Sequence, residues 1–346
     1  MVQSNRGHPY SCIFCDEGIQ YGKANSVNTF EYYWLSLAGR DLVDKWGSTA
    51  PDDDVSCALC GSWRRKLLYC LGKSQTVECE CGFRYVTPQL SDRALSDYYR
   101  NFYELDNRDF EGHRHDMFED PDERRRKIQD RHVEIELTNR FTKTGKILDI
   151  GCGSGLYFEG LSGQQELYGV EVSPSAARYV TERFSARVQT TTVENAKFDN
   201  ESFDVINLTY VIEHLKDPIK VMQKATRWLR PGGLLLTSSP NWDSPMARIF
   251  REFFRLNDPN QHIAIWTPTT VARLLSMSEV TLQSIHYPYF ETEYFNRYEV
   301  MRLFRNSAVR LVLPILVRFG FYPKLSTVLS PPFWGSIMVT ESFKKG

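Results

Sequence analysis

Lys146-Ile147-Leu148-Asp149-Ile150-Gly151-Cys152-Gly153-Ser154-Gly155 is the stretch that decides the fold. An apolar strand ends in an acid and then turns through glycines at alternate positions. Glycine enters backbone conformations closed to other residues and lets the main chain approach a ligand closely. Roughly twenty residues on, a second apolar run closes with Gly169-Val170-Glu171-Val172, the distance at which an acid can accept hydrogen bonds from a ribose. Two such strand ends side by side describe a pocket for a nucleoside-containing ligand.

The charge of that ligand follows from the spacing. A dinucleotide site has the pattern Gly-x-Gly-x-x-Gly, with a pyrophosphate resting on a helix N-terminus. Here the glycines run Gly-x-Gly-x-Gly, directly preceded by Asp149-Ile150. A carboxylate there repels a pyrophosphate and welcomes a ligand carrying an ammonium and a sulfonium. Three further pieces follow in order. They are Thr191-Thr192-Val193-Glu194-Asn195-Ala196, the apolar run from Ser202 to Leu215, and the segment Leu229 to Pro240, in which Pro231-Gly232-Gly233 stops a helix before another strand. Strands are expected at 146–150, 167–172, 187–191, 203–208 and 234–238, short and apolar as parallel strands covered on both faces should be. Helices are expected at 174–184, 218–229 and 268–277, with proline suited to a first turn. A last strand is expected at 336–342.

These residues resemble the class I S-adenosylmethionine-dependent methyltransferases, whose first motif reads much like Leu148 to Gly155. The resemblance implies an α/β fold with a Rossmann-like, doubly wound, mostly parallel sheet, and S-adenosylmethionine as cofactor. It implies that Asp149 neutralises the methionine ammonium, directly or through water, that Gly151, Gly153 and Gly155 shape the loop, and that Glu171 holds the ribose. Thr192 and Val193 would lie along the adenine, and Leu208 would line the site from the strand similar to the family's fourth. The family often has Asp where this chain has Thr192, so the backbone of Val193 is the alternative adenine contact.

The chain has 346 residues, enough for two domains, with 42% apolar and 25% charged residues, as in ordinary globular protein. A net charge of −1 supplies no global field toward nucleic acid or an anionic membrane. The basic run Arg124-Arg125-Arg126-Lys127 follows Asp120, Asp122 and Glu123 and reads as a solvated helix start. Met1 to Tyr21 is polar and lacks the apolar core of a signal peptide. Leu311 to Val317 contains Pro314, is flanked by Arg310 and Arg318, and is too short to span a bilayer. A cytoplasmic protein with no transmembrane segment is the expectation.

Seven of the eight cysteines precede the glycine loop. Without a secretory signal, such clusters suggest metal more than disulfides. Cys57-Ala58-Leu59-Cys60-Gly61 and Cys79-Glu80-Cys81-Gly82 read as two knuckles separated by two short strands, with strand-like alternation over 76–81 and 83–86. Four thiolates from Cys57, Cys60, Cys79 and Cys81 would enclose one structural Zn²⁺. The second knuckle has one intervening residue where a ribbon normally has two, so Cys70 is an alternative to Cys79. Cys12 and Cys15, with His8, form a separate pair. Cys152 reads as a packing residue, and reduced thiols without metal are the alternative for the cluster.

Along the chain we expect an N-terminal extension (1–55), a zinc-ribbon-like module (56–90), a helical linker or lid (91–145) and a core (146–346) with a C-terminal helical insertion. The linker includes a helix capped by Ser91 and another over 121–141. This order resembles the zinc-ribbon-bearing, methyltransferase-23-like group, often associated with sugar, polysaccharide or related secondary metabolism. That group has a Pro-Asn and then a Pro-x-x-His, as in Pro240-Asn241 and Pro259-Asn260-Gln261-His262, which implies His262 at the mouth of the methyl-transfer pocket.

His214 and His262 are the candidate bases, since histidine can accept a proton at neutral pH. Glu213-His214 also resembles part of a Glu-x-x-Glu-His metal motif of quinone-biosynthesis O-methyltransferases. Tyr210 replaces the first Glu, so a catalytic metal is not expected. The expected function is O- or C-methylation of a small-molecule, sugar or lipid-linked acceptor, with no nucleic-acid partner. The apolar segment 309–322 reads as a pocket cap or a homodimer interface, with a rest on a membrane surface beside a lipid-linked acceptor as the alternative. Two alternatives stand: a zinc-containing binding module with a non-catalytic core, and a methyltransferase acting on RNA or protein.

Overall fold

The computed structural model describes residues 54–71, 74–91, 94–95, 121–251, 254, 256–257, 259, 261–288 and 335–346. His8, Cys12, Cys15, the 100–120 lid segment and the 309–322 segment lie outside the described residues, as does the side chain of Cys70. The chain forms β1 (Arg65–Leu71), β2 (Ser74–Cys79), β3 (Arg84–Thr87), α1 (Pro121–Gln129), α2 (His132–Phe141), β4 (Lys146–Ile150) and α3 (Leu156–Glu159). It continues through β5 (Glu166–Glu171), α4 (Pro174–Phe184), β6 (Arg187–Thr190), β7 (Phe203–Thr209) and a 3-10 turn (Ile212–His214). Then come α5 (Pro218–Trp228), β8 (Leu229–Pro240), α6 (Pro245–Phe250), β9 (Ala264–Ile265), α7 (Pro268–Ser276), β10 (Val280–His286) and β11 (Ile337–Lys344).

Seven strands form one sheet in the order β10-β11-β8-β7-β4-β5-β6. The pairs β4–β5, β4–β7, β5–β6 and β7–β8 are parallel, and β11 inserts antiparallel between β8 and β10. After β4 the chain moves outward through β5 and β6, then returns to the other side with β7. The carboxyl ends of β4 and β7 are therefore the switch point of the sheet, where open α/β folds bind ligands. Register sets Asp149 opposite Asn207 there.

Alternation along β4 explains the two faces. Leu148 and Ile150 pack into one core with Ile206, Leu208 and Trp266, while Ile147 packs on the other side with Val205, Leu234, Leu137 and Val180. The helices start where local chemistry supplies caps: Ser173 accepts from Ala176 N, Asp217 from Lys220 N, and Thr267 and Thr270 form a reciprocal capping box, each followed by a first-turn proline. Ser91 accepts from Ala94 N at 3.3 Å, the bond expected of its cap.

Three expectations change. The helix expected over 121–141 is two helices, because Arg131 leaves helical geometry at φ −114° and ψ 11°. The break lets α2 turn Glu134, Leu137 and Thr138 inward. Arg124 is not solvated but 5% exposed. The Pro231-Gly232-Gly233 segment lies within the span of β8 instead of preceding it: Leu229 already pairs with Phe203, and pairing resumes at Leu234 with Val205 after a register shift. Gly232 at φ +68° allows that bulge.

A second sheet, β1-β2-β3-β9, is antiparallel throughout. Three of its strands carry the cysteine knuckles, and the fourth belongs to the core. Among the described residues no helix is long and apolar enough to cross a membrane.

Candidate active site at the carboxyl edge of the sheet

The loop after β4 takes left-handed backbone at Gly151 (φ +73°), Gly153 (φ +50°) and Gly155 (φ +73°). A Cβ at 155 would lie 2.5 Å from Phe184 Cε2, and one at 151 would lie 2.8 Å from Val211 Cγ2. The loop is thus squeezed between α4 and the segment after β7, which glycine alone permits. Gly153 N donates to Glu171 Oε2 at 2.9 Å and Ser173 N to Glu171 Oε1 at 2.8 Å, so Glu171 ties the two strand ends together. Burial raises its pKa against the pull of those amides. Arg124 clamps the loop from behind, donating to Ser154 O at 3.2 Å and to Glu159 Oε2 at 2.6 Å.

Asp149 is buried at the head of a polar chain that the sequence did not reveal. Asn207 Nδ2 donates to Asp149 Oδ1 at 2.8 Å. Thr209 Oγ1 lies 3.0 Å from Asn207 Oδ1 and 3.2 Å from Glu134 Oε1. Desolvation pushes Asp149 up to about 7, opposed by the Asn207 bond and by Arg131. Glu134 is also raised by burial, and its Oε2 has no hydrogen-bond partner. Two buried carboxyls, one of them with an unsatisfied oxygen, make a site that a cation relieves. Only the spacing of α2 from the glycine loop could have flagged Glu134, and the break at Arg131 hid its direction.

Thr192 closes the turn after β6, its carbonyl accepting from Asn195 N at 3.1 Å and Ala196 N at 3.0 Å. Val193 and Leu208 are buried in the main core, so what they can offer a ligand is main chain. The aromatic residues Trp242, Phe254 and Trp266 are likewise core.

His214 and His262 meet edge to face, with ring centroids 5.0 Å apart, although 47 residues separate His214 from Gln261 in sequence. The Gln261 carbonyl accepts from His214 Nδ1 at 2.9 Å and the Leu256 carbonyl from His262 Nδ1 at 2.6 Å. A carbonyl can only accept, so Nδ1 carries the proton in each of these bonds; the Tyr210 main chain also bonds to the His214 ring, and in neutral His262 Nε2 is the basic nitrogen. Burial, then the neighbouring His262, push His214 down to about 3. Glu213 beside them is 1% exposed, and both its carboxylate oxygens lack hydrogen-bond partners. Burial pushes it up to about 8. One oxygen of Glu213 and one nitrogen of each histidine lie within 4.8 Å of one another. Tyr210, in the place of the motif's first Glu, is half-buried with φ +56° beneath the Arg131 guanidinium, which lies 5.6 Å from the centre of its ring.

The four predicted cysteines converge. Sγ of Cys57 and Cys81 are 3.6 Å apart and those of Cys60 and Cys79 3.5 Å, and all four lie within 4.8 Å of one another. Tetrahedral thiolates about 2.3 Å from one Zn²⁺ stand roughly 3.8 Å from each other, so the cluster fits that ion. Gly61 (φ +72°) and Gly82 (φ +85°) complete the knuckles, with Gly61 N donating to Cys57 O at 2.7 Å and Gly82 N to Cys79 O at 2.8 Å. The shortened second knuckle still brings Cys79 in, because Cys79 N is held by Phe83 O at 2.8 Å across the turn. Burial raises the thiol pKa of Cys57 and of Cys79, so ionising them needs a cation.

A reversal at β4, a glycine loop at the switch point and buried acids beyond it define an α/β domain built for a nucleoside-containing cofactor. A family model described as a methyltransferase domain matches residues 113–283, and the chain belongs to the class I S-adenosylmethionine-dependent methyltransferases. It is 33% identical over 103 residues to a ubiquinone biosynthesis O-methyltransferase of Alkalilimnicola ehrlichii, covering 28% of this chain and 42% of that protein. It is 30% identical over 121 residues to a protein of the same name from Haemophilus ducreyi, covering 32% and 50%. The chain spans half or less of the length of these curated relatives. A plantazolicin methyltransferase, BpumL, solved with a triazolic desmethylPZN analog and SAH, superposes with a TM-score of 0.45 at 19% identity, covering 73% of this chain and 96% of that one.

Proposed function

We propose that this protein transfers a methyl group from S-adenosylmethionine to a hydroxyl oxygen of a small-molecule or glycan acceptor. The observation that carries the reading is the buried Asp149–Asn207–Thr209–Glu134 chain at the switch point, a set of carboxyls that calls for a cationic ligand. When bound, S-adenosylmethionine supplies an electrophilic methyl group on a sulfonium that leaves readily. Asp149 is the partner for the ammonium, the three glycines admit the ligand to the loop, and Glu171 offers the second lone pairs of its oxygens to ribose hydroxyls. His262 Nε2 takes the acceptor's proton as the oxygen attacks, giving a neutral ether and an imidazolium. His214, held neutral by burial, orients the acceptor hydroxyl. The names of the curated relatives favour an oxygen acceptor.

Incubating cell extract with the protein and a methyl-labelled cofactor tests this by mass spectrometry. One metabolite gaining the label supports it. Cofactor binding with no labelled product would favour the non-catalytic binding module, and label in RNA or protein the macromolecular alternative.

The four cysteines are proposed to hold one structural Zn²⁺, expected as about one zinc per chain by elemental analysis. A second reading of the histidine pair rests on the orphaned Glu213 oxygens. A divalent cation bound by Glu213, His214 and His262 would give a second metal per chain, lost in Glu213→Gln while the first is kept.

A further inference from the structure

The cysteine module does not stand apart from the core. β3 pairs with β9, setting Arg84 opposite Ile265 and Tyr85 opposite Ala264. Val86 N donates to Ile263 O at 2.9 Å. Phe83, the residue whose carbonyl accepts from Cys79, packs against Trp266 with ring centroids 4.8 Å apart and planes inclined at 44°, and both rings are fully buried. Cys57, Leu59, Cys79, Phe83 and Trp266 share one apolar core with Ile212 and Leu215, which bracket His214.

The stretch gripped in this way is the histidine stretch. Ile263 follows His262, and Gln261, whose carbonyl fixes the His214 proton on Nδ1, precedes it. On the glycine-loop side, the hydrogen bonds of Asp149 to Asn207, of Glu171 to Gly153 and Ser173, and of Arg124 to Ser154 run within the core domain.

We propose that the cysteine module is the positioning element for the His214–His262 pair: closing the four-thiolate knuckles registers β3 against residues 263–265, and that register aims both imidazoles. The module shares its apolar core with Leu148 and Ile150 beside Asp149, but its main-chain pairing reaches only the histidine stretch, and that pairing is what the proposal turns on. The proposal rests on the zinc reading for its trigger and on the observed β3–β9 pairing for its transmission, and the two can fail separately.

The test uses the full chain in three forms: zinc-loaded, stripped by chelator, and Val86→Pro with zinc retained. Val86→Pro removes the amide that donates to Ile263 and leaves every cysteine in place. Imidazole ¹H–¹⁵N correlations report the tautomer of each ring, and calorimetry reports S-adenosylmethionine binding. Stripping and Val86→Pro should each shift the His214 and His262 ring signals away from the single Nδ1–H tautomer, with cofactor affinity held within about twofold, a change of only ~0.4 kcal/mol. Where an acceptor has been found, kcat should fall about tenfold or more with the cofactor KM unchanged. Unmoved histidine signals in Val86→Pro would overturn the proposal whatever the metal content. Loss of cofactor binding in step with the histidine shifts would also overturn it, since the module would then be a general scaffold. Protein that carries no zinc as purified would remove the metal trigger and leave the Val86→Pro result to decide the transmission.

Discussion

Asp149 should make cofactor affinity depend on pH in a way that one substitution removes. Burial holds its pKa at about 7 in the cofactor-free protein. If the ammonium is held by the ionised form, the apparent dissociation constant scales as 1 + 10^(pKa − pH), which is roughly 1.1 at about pH 8 and roughly 11 at about pH 6, a tenfold loss. The amine of the ligand titrates as well, so the comparison that isolates the residue is wild type against Asp149→Asn at each pH. At about pH 8 the variant loses a charge-assisted hydrogen bond, worth ~1.5–3 kcal/mol or about 10- to 150-fold. The bare Coulomb attraction at ~4 Å in an effective dielectric near 20, about 4 kcal/mol, bounds it from above. As pH falls toward 6 the two affinities should converge, because the wild-type carboxyl becomes as neutral as the amide. Calorimetric titration at four pH values measures both curves. Parallel curves, or an Asp149→Asn protein that binds as tightly as wild type at pH 8, would refute the assignment of the ammonium to this carboxylate.

Other outcomes follow from the same contacts. Asp149, Glu134, Glu171 and Glu213 all have folded pKa values raised above those of the unfolded chain, so the folded state binds more protons from about pH 4 upward. The cofactor-free protein should therefore lose stability as pH rises through about 7 to 8, and saturating cofactor should flatten that fall; thermal melts at several pH values read it. Gly155→Ala forces a left-handed backbone and a contact with Phe184, and should cost roughly 2–5 kcal/mol in denaturant unfolding, whereas Gly163→Ala, strained in backbone but meeting no atom within 4 Å, should cost about 1–2 kcal/mol. His262→Asn should lower kcat by about 10² or more with cofactor affinity unchanged, and the larger loss at His214→Asn instead would exchange the two roles.

The cofactor half of the site was legible because its parts are sequence-local. The glycine loop, the acid after β5 and the strand lengths are set by short-range chemistry and register, and the parallel strands read as continuous apolar runs. Asn207 lies inside an apolar strand and Glu134 on a helix whose break at Arg131 no periodicity announces, so the polar chain beneath Asp149 is a product of tertiary packing alone. Arg124 looked like one of four surface cations, and only packing on the glycine loop separates it from Arg125. His214 meets His262 next to the point where β9 joins the cysteine sheet, a pairing of residues some 180 apart in sequence on two strands with no shared motif. Cys79 was doubtful from spacing alone, since the turn bond to Phe83 that corrects the shortened knuckle leaves no trace in composition.

The electrostatic choice between a sulfonium amino acid and a pyrophosphate is the claim that most needs measurement. Equilibrium dialysis of the purified chain against S-adenosylmethionine and against NAD⁺, each at neutral pH, makes the choice directly. One S-adenosylmethionine bound per chain, undisplaced by excess NAD⁺, is the expected result. Saturable NAD⁺ binding that excludes S-adenosylmethionine would contradict the account.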